Sequence, residues 1–345
     1  MTKEGRMDVS KKGRDYYAVL QVHRKASPEV IRAARNALIK GKHPDQTGSE
    51  AVLREIQEAY EVLHDSARRT EYDRTETDPD GQIIGAFRVL ERIAKGGYGR
   101  TYKGEHILTG LPVCIKDCRW LDSDVQKVLL EETNLLWDLR HHALPAIRDV
   151  VRTDDGRYYL VMSYIPGKNI FDLVRDSGKM DPEDVTSVAE RALNGLMYLH
   201  HHGVLHGDIK PQNIILGAGR EATLVDFGLS QSRPDADSRA TGYTEYFSPP
   251  EQVNQSGPLL PESDFYSLGM TMIFALSGSL DCVKRKEIPS RVPDALTEFI
   301  GKLIVRDVLA RPNWKKMNLF EEIRRVRQAA FGRTHSGMRP IPGLN

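Results

Sequence analysis

Near residue 75 the hydrophobic rhythm of this 345-residue chain changes, so one uniform fold class cannot describe it. Upstream, Val30, Ile31, Ala34 and Leu38 recur at helical spacing, as do Val52, Leu53, Ile56, Ala59, Tyr60 and Leu63. Ser27-Pro28 supplies a cap and a first turn for the earlier of these helices. The polar run His43–Gly48 lies between them, which predicts two antiparallel helices joined by an exposed loop. Thr75–Gly81 is acidic and holds Pro and Gly, the composition of a linker, which is expected over 75–84. Downstream of residue 85 come short β-type runs at Phe87–Ile93, Thr101–Glu105, Leu111–Asp117 and Tyr158–Tyr164, with an amphipathic helix expected over 125–140. Beyond residue 183 helical stretches dominate. The reading is α+β: a small all-helical unit, then a β-rich part that precedes a larger helical part.

Composition narrows the partners. Lys and Arg number 49 against 48 Asp and Glu, a net charge of +1, so bulk attraction to nucleic acid or an anionic membrane is not expected. No run of eighteen apolar residues exists, so no transmembrane helix is expected. The first fifteen residues lack an apolar signal core, and three cysteines (Cys114, Cys118, Cys282) have neither disulfide-framework nor zinc spacing. These features predict a reducing, cytoplasmic location.

Three segments surround His43-Pro44-Asp45: Asp15–Leu20 before it, Glu58–Leu63 and Arg69–Arg74 after it. In this order residues 13–74 resemble a J-domain. The resemblance implies binding to a DnaK-type chaperone and stimulation of its ATPase, with His43, Pro44 and Asp45 at the contact. Arg32 and Arg35 belong to a stripe over residues 29–43 that carries a net charge of +3, suited to an acidic partner surface. Lys42 stands where the family usually has an aromatic, and no glycine/phenylalanine-rich region or CxxC module follows.

The rest of the chain holds a longer series. Ala94, Gly96, Gly97 and Gly99 form a glycine-rich turn between two strands, a backbone that can approach phosphates closely. Val113–Lys116, Glu132, His206–Asn213, Asp226-Phe227-Gly228, Pro249-Pro250-Glu251, Ser263–Gly269 and Arg311-Pro312 follow in order. Together residues 85–331 resemble a protein kinase domain, a bilobal fold with its β-rich lobe over 85–163 and its α-rich lobe over 164–331. The resemblance implies ATP and Mg²⁺ as cofactors and a protein substrate. It implies that Lys116 holds the α- and β-phosphates and pairs with Glu132, and that Asp226 and Asn213 hold the metal. Asp208 would accept or orient the substrate hydroxyl proton, and Lys210 would neutralise the γ-phosphate. Thr244 would contact both Asp208 and Lys210. Met162 is the gatekeeper, and backbone groups of Ser163 and Ile165 would meet the adenine edge. Thr101 and Cys114 replace the usual Val and Ala that roof the adenine. Structural roles fall to a buried Glu251–Arg311 pair and to Asp264, bracing the catalytic loop.

Gly207 stands where an Arg normally precedes the catalytic Asp. That Arg reads activation-loop phosphate, so loop phosphorylation is not expected to be an obligatory switch. The stretch 311–333 carries a net charge of +5 and reads as a core-packed helix with a solvated basic side, and residues 332–345 as a disordered tail. The histidines at 200–202 lie at a helix end, where a cationic imidazole is favourable, and no metal other than Mg²⁺ is expected. The first functional reading is a serine/threonine kinase joined to a chaperone-recruiting J-domain. The alternative is a nucleotide-sensing pseudokinase co-chaperone with little or no phosphotransfer. A third makes the recruited chaperone the kinase substrate.

Overall fold

The computed structural model describes residues 16–22, 26–40, 49–69, 81–96, 99–117, 133–134, 136–153, 158–219, 221–235, 237–240, 242–335 and 341–344. In the N-terminal unit, α1 (Tyr16–Val19), α2 (Pro28–Lys40) and α3 (Ser49–His64) enclose a core of Tyr17, Leu20, Ile31, Ile56, Ala59 and Leu63. Val30, expected on the buried face, is exposed; the face turns on Ile31, with Leu38 half-buried beside it. Arg69 closes the unit, with Nε donating to the Tyr17 hydroxyl at 3.0 Å and Nη1 to the Ala26 carbonyl at 2.8 Å.

Among the described residues, β1 (Ile83–Ile84), β2 (Phe87–Gly96), β3 (Gly99–His106), β4 (Pro112–Asp117), β5 (Ile147–Arg152) and β6 (Tyr158–Ser163) make one antiparallel sheet, ordered β1-β2-β3-β4-β6-β5. The linker therefore ends before Ile83. Ile84 is fully buried and pairs with Phe87, because an apolar residue beside an open sheet edge gains both ladder bonds and burial. Strand β5 lay outside the sequence reading, since Ile147–Arg152 lacks clean alternation. Of the helix expected over 125–140, most lies outside the described residues; 133, 134, 136 and 137 are helical.

The larger lobe is built on β7 (Lys168–Asn169), α4 (Ile170–Ser177), α5 (Pro182–His201), β8 (Val204–Leu205), β9 (Ile214–Leu216), β10 (Ala222–Leu224), β11 (Gln231–Ser232), α6 (Pro250–Val253), α7 (Pro261–Ser277), α8 (Leu280–Arg285), α9 (Asp294–Leu303) and α10 (Leu319–Phe331). Helix α7 is buried from Ser263 to Leu276, so its sequence is apolar all round rather than amphipathic. No helix among the described residues is long and apolar enough to cross a membrane.

One ion pair ties three segments of this lobe. Arg311 Nη1 and Nη2 meet Glu251 Oε1 and Oε2 at 2.6 and 2.9 Å, with both residues buried. The remaining guanidinium protons reach the carbonyls of Val305, Arg306 and Glu262, and Ser263 Oγ donates to Glu251. A buried bidentate pair is tolerable because every donor has an acceptor.

The tail departs from expectation. Ile341 and Leu344 are buried in the main core beside α4, and Arg333 forms an ion pair with Glu183. Two apolar side chains supply the burial that a fully polar tail would lack. Nor is the basic side of α10 wholly solvated: Arg327 is buried and paired with Glu190 at 2.5 Å.

Replacing Arg311 by Met strands the Glu251 carboxylate in the core. A loss of about 3–5 kcal/mol in urea unfolding is expected. Glu251→Met added to Arg311→Met should recover part of it, because no uncompensated charge then remains buried.

Candidate active site

Sheet register assembles one wall of the site. Ala94 lies opposite Thr101, Thr101 opposite Lys116, and Cys114 opposite Met162. Directly opposed residues share a face, and so do positions two apart, so these five side chains line the same side of the sheet. The other face carries Tyr102, Val113, Ile115, Tyr159 and Val161 as a separate core. The bulges in β2 let Ala94 keep this alignment with Thr101. Burial pushes the Cys114 thiol up to about 12 against the opposing effect of Lys116. It stays neutral and behaves as a small apolar group.

At the hinge, Ser163 N–H donates to the Ala146 carbonyl at 2.8 Å, and Ser163 Oγ accepts from Ala146 N–H at 2.9 Å. The expectation of Ser163 backbone groups at an adenine edge is thereby reduced to its carbonyl; the amide is committed. Ile165 is half-buried just beyond.

Across the cleft, Lys116 Nζ lies 3.0 Å from Asp226 Oδ1, 110 residues away in sequence. Desolvation would raise the Asp226 carboxyl, but the Lys116 ammonium holds it below the ordinary range. Asp226 adopts φ +64°, a left-handed conformation that Asp tolerates better than most residues. Phe227 behind it is buried, and its ring centroid is 4.7 Å from that of His206.

The segment 206–213 forms a closed network. Thr244 Oγ1 donates to Asp208 Oδ1 at 2.6 Å, Lys210 Nζ to Asp208 Oδ2 at 2.7 Å, and Lys210 also to Thr244 at 3.1 Å. Asn213 Nδ2 donates to both the backbone oxygen and Oδ2 of Asp208, each at 2.9 Å. Its amide nitrogen is thus occupied and its Oδ1 is left as a hard oxygen donor. Asp226 Oδ2 is the other such oxygen. Two oxygens of this kind fit Mg²⁺ better than a softer ion. Glu132 and Gly97 lie outside the described residues, so the expected Lys116–Glu132 pair is not among the contacts described.

Asp264 holds the network from below. Its carboxylate accepts from the backbone amides of His206 and Gly207, both at 2.9 Å, and from His200 Nε2 at 2.8 Å. Burial would raise this carboxyl, but the His200 hydrogen bond and neighbouring donors hold it below the ordinary range. Trp314 Nε1, a donor only, reaches His200 Nδ1 at 2.9 Å. His200 Nδ1 is thereby the acceptor and Nε2 the nitrogen that donates to Asp264, so both ring nitrogens at this helix end are taken up inside the fold. Burial keeps His206 below the ordinary histidine range as well, despite the Asp264 charge beside it.

Sequence reasoning missed Gln252. It is buried, and its Nε2 donates to the carbonyls of Gly207 at 2.8 Å and Gly242 at 2.9 Å, linking the catalytic loop to the segment before Thr244. Gly207 itself has φ +72°, and a Cβ there would stand 2.5 Å from the Leu229 carbonyl. No side chain is sterically welcome at this position, and the clamp is supplied by Gln252 instead. Its one available signal was adjacency to Glu251.

Of the residues expected at a chaperone contact, Arg32 is exposed. Arg35 is committed internally: Nε and Nη2 both reach Gln57 Oε1, and its guanidinium stacks 5.0 Å over Tyr60. His43, Pro44 and Asp45 lie outside the described residues.

Residues 87–320 match the family model described as protein kinase domain, and residues 15–73 match that described as DnaJ domain. The chain is 30% identical over 269 residues to misshapen-like kinase 1 of Rattus norvegicus, covering 70% of this chain and 20% of that protein. It is 32% identical over 217 residues to serine/threonine-protein kinase pkn2 of Myxococcus xanthus, covering 59% of this chain and 26% of that one. The chain thus spans about a fifth to a quarter of the length of these relatives.

Two outcomes follow for this site. The Asp264 carboxyl is held below its unfolded value of about 3.9, so its contribution to stability is full above that pH and fades as pH falls through the folded value. Asp264→Asn should melt well below the parent at pH 7, and the gap should narrow below about pH 4. Gln252→Leu strands two buried carbonyls at about 1–3 kcal/mol each; kcat of any phosphotransfer should fall more than KM, measured by steady-state kinetics.

Proposed function

Because the chain belongs to the protein kinase family and carries a DnaJ domain ahead of its kinase domain, we propose that it is a serine/threonine kinase that recruits a DnaK-type chaperone. The kinase part would transfer the γ-phosphoryl group of ATP to protein hydroxyls; the J-domain would stimulate the chaperone's ATPase. The carrying observation is the closed network of Asp208, Lys210, Asn213 and Thr244 facing the Lys116–Asp226 pair. We place the unit boundaries at 13–74 for the J-domain and 85–331 for the kinase domain, with the first strand of the latter reaching back to Ile83.

Lys116 is poised to exchange the Asp226 carboxylate for the α- and β-phosphate oxygens of ATP. Asn213 Oδ1 and Asp226 would hold Mg²⁺, which when bound neutralises charge on the phosphate oxygens. Asp208 is oriented by three side chains before substrate arrives, so little reorganisation is needed when an acceptor hydroxyl displaces Thr244 from Oδ1. Lys210, two residues on and 2.7 Å away, places a cation beside the carboxylate for the transferring group. Thr101, Cys114, Met162 and Ile165 would enclose the base, with Ala94, Gly96, Gly97 and Gly99 covering the phosphates.

Gln252 supports a further part of the reading, that loop phosphorylation is not obligatory. The clamp between Gly207 and Gly242 is uncharged and complete without phosphate. On the J-domain, Arg32 rather than Arg35 is offered as the basic contact beside His43-Pro44-Asp45, since Arg35 would have to leave Gln57 and Tyr60.

The test incubates the full chain with labelled ATP and Mg²⁺, with and without a DnaK-type chaperone. The parent labels itself or an acceptor protein, and Asp208→Asn lowers this by about 10²–10⁴-fold. Thr244→Ala is strongly impaired, whereas Thr241→Ala keeps most activity. His43→Gln retains transfer but loses chaperone ATPase stimulation. No transfer by the parent overturns the kinase half; stimulation that survives His43→Gln overturns the J-domain half.

A further inference from the structure

A groove of about 340 Å³ opens between the segment after Thr244, helix α6, helix α7 and helix α8. Tyr246, Ser248 and Tyr266 line its wall together with Lys284, Lys286 and Arg306. The wall is coupled to the catalytic network: Ser248 Oγ accepts from Thr244 N–H at 2.9 Å, and Thr244 holds Asp208. Among the described residues, none of the three cations forms an ion pair with a carboxylate of its own chain, while Arg285 between them on the sequence is paired with Glu287. Lys286 lies 5.1 Å over the Tyr266 ring, which orients its ammonium without neutralising it.

Two non-glycine residues on this groove are held in the left-handed region, Tyr246 at φ +68° and Lys286 at φ +55°. Lys286 is the C-cap of α8, where glycine or asparagine is the comfortable choice. Strain retained at a lysine, against an available relief, marks a side chain kept for what it touches. Carboxylates also lie close by: Glu245, beside Tyr246, and Asp281, on α8 with Lys284, raise the Tyr246 hydroxyl.

We propose that this groove docks an acidic segment of the protein substrate, with its carboxylates removed from the phosphoacceptor residue and seated on Lys284, Lys286 and Arg306. This rests on the kinase reading above. Substrate carboxylates meet the unpaired Lys284, Lys286 and Arg306 of this groove, whereas acids seated against Tyr246 meet Glu245 and Asp281. The exposed apolar Val253 adds a non-polar contact to the same lining. Selectivity of this kind lowers KM and leaves the chemical step unchanged, since the groove touches neither the phosphates nor Asp208.

The experiment compares Ser-containing peptides that carry three Glu, three Gln or three Lys at a distance from the Ser, on either side. For the parent, KM for the better Glu peptide should be about tenfold below that for its Lys counterpart, the size expected of a few exposed charge pairs, and should rise with salt. Lys284→Glu with Lys286→Glu and Arg306→Glu should abolish or reverse the preference, with kcat on the Gln peptide retained. Lys286→Gly should weaken the preference while raising the melting temperature, an outcome that a purely structural lysine would not give. Fluorescence anisotropy of the same peptides with Ala in place of Ser reads docking without turnover. Equal binding of Glu and Lys peptides by the parent overturns the docking site even if transfer occurs. Discriminating binding without any transfer leaves the docking site standing and overturns the kinase reading instead.

Discussion

The Asp264 carboxylate is the contact on which the site depends. It accepts two consecutive catalytic-loop amides and one histidine, all within 2.9 Å, in a place with almost no solvent. Charge-assisted hydrogen bonds are short and directional, so they fix the path of the backbone entering Asp208. His200 is in turn held by Trp314, and Trp314 packs edge-on against Phe265. The position of the Asp208 carboxylate is thus set by residues packed beneath the loop that carries it. The Trp314 bond matters here: it takes up His200 Nδ1 and leaves Nε2 to donate to Asp264.

Two other constraints share that logic. The sheet register puts Thr101, Cys114, Lys116 and Met162 on one face, and a slip of one residue would turn all of them away from the cleft. The Glu251–Arg311 pair anchors α6, whose next residue, Gln252, clamps the carbonyl of Gly207. Two different tasks are therefore adjacent in sequence: Glu251 turns inward to the ion pair, Gln252 to the loop. A glycine at 207 and a glutamine at 252 form one device, since the absence of a side chain at the first leaves its carbonyl to be held by the second.

The near-zero net charge is a cancellation of local fields with different uses. Arg35, Arg311 and Arg327 are spent inside their own units, on Gln57 and Tyr60, on Glu251 and on Glu190. Arg32, Lys284, Lys286 and Arg306 remain toward solvent. A count of basic residues cannot separate these two sets, because commitment depends on what lies across the fold.

The sequence by itself determined the helical period before residue 75, the strands that carry the glycine-rich turn and Lys116, and the chemistry of the residues at 208, 210, 213 and 226. These are legible because period and motif spacing are local properties of the chain. Tertiary structure alone decided the partners of the two His200 ring nitrogens, the burial of Ile341 and Leu344, the inward commitment of Arg35 and the clamp made by Gln252. Each depends on partners distant in sequence, such as Trp314 at 114 residues from His200. A hydrogen bond's partner is chosen by which groups the fold brings within about 3 Å, and only packing decides that.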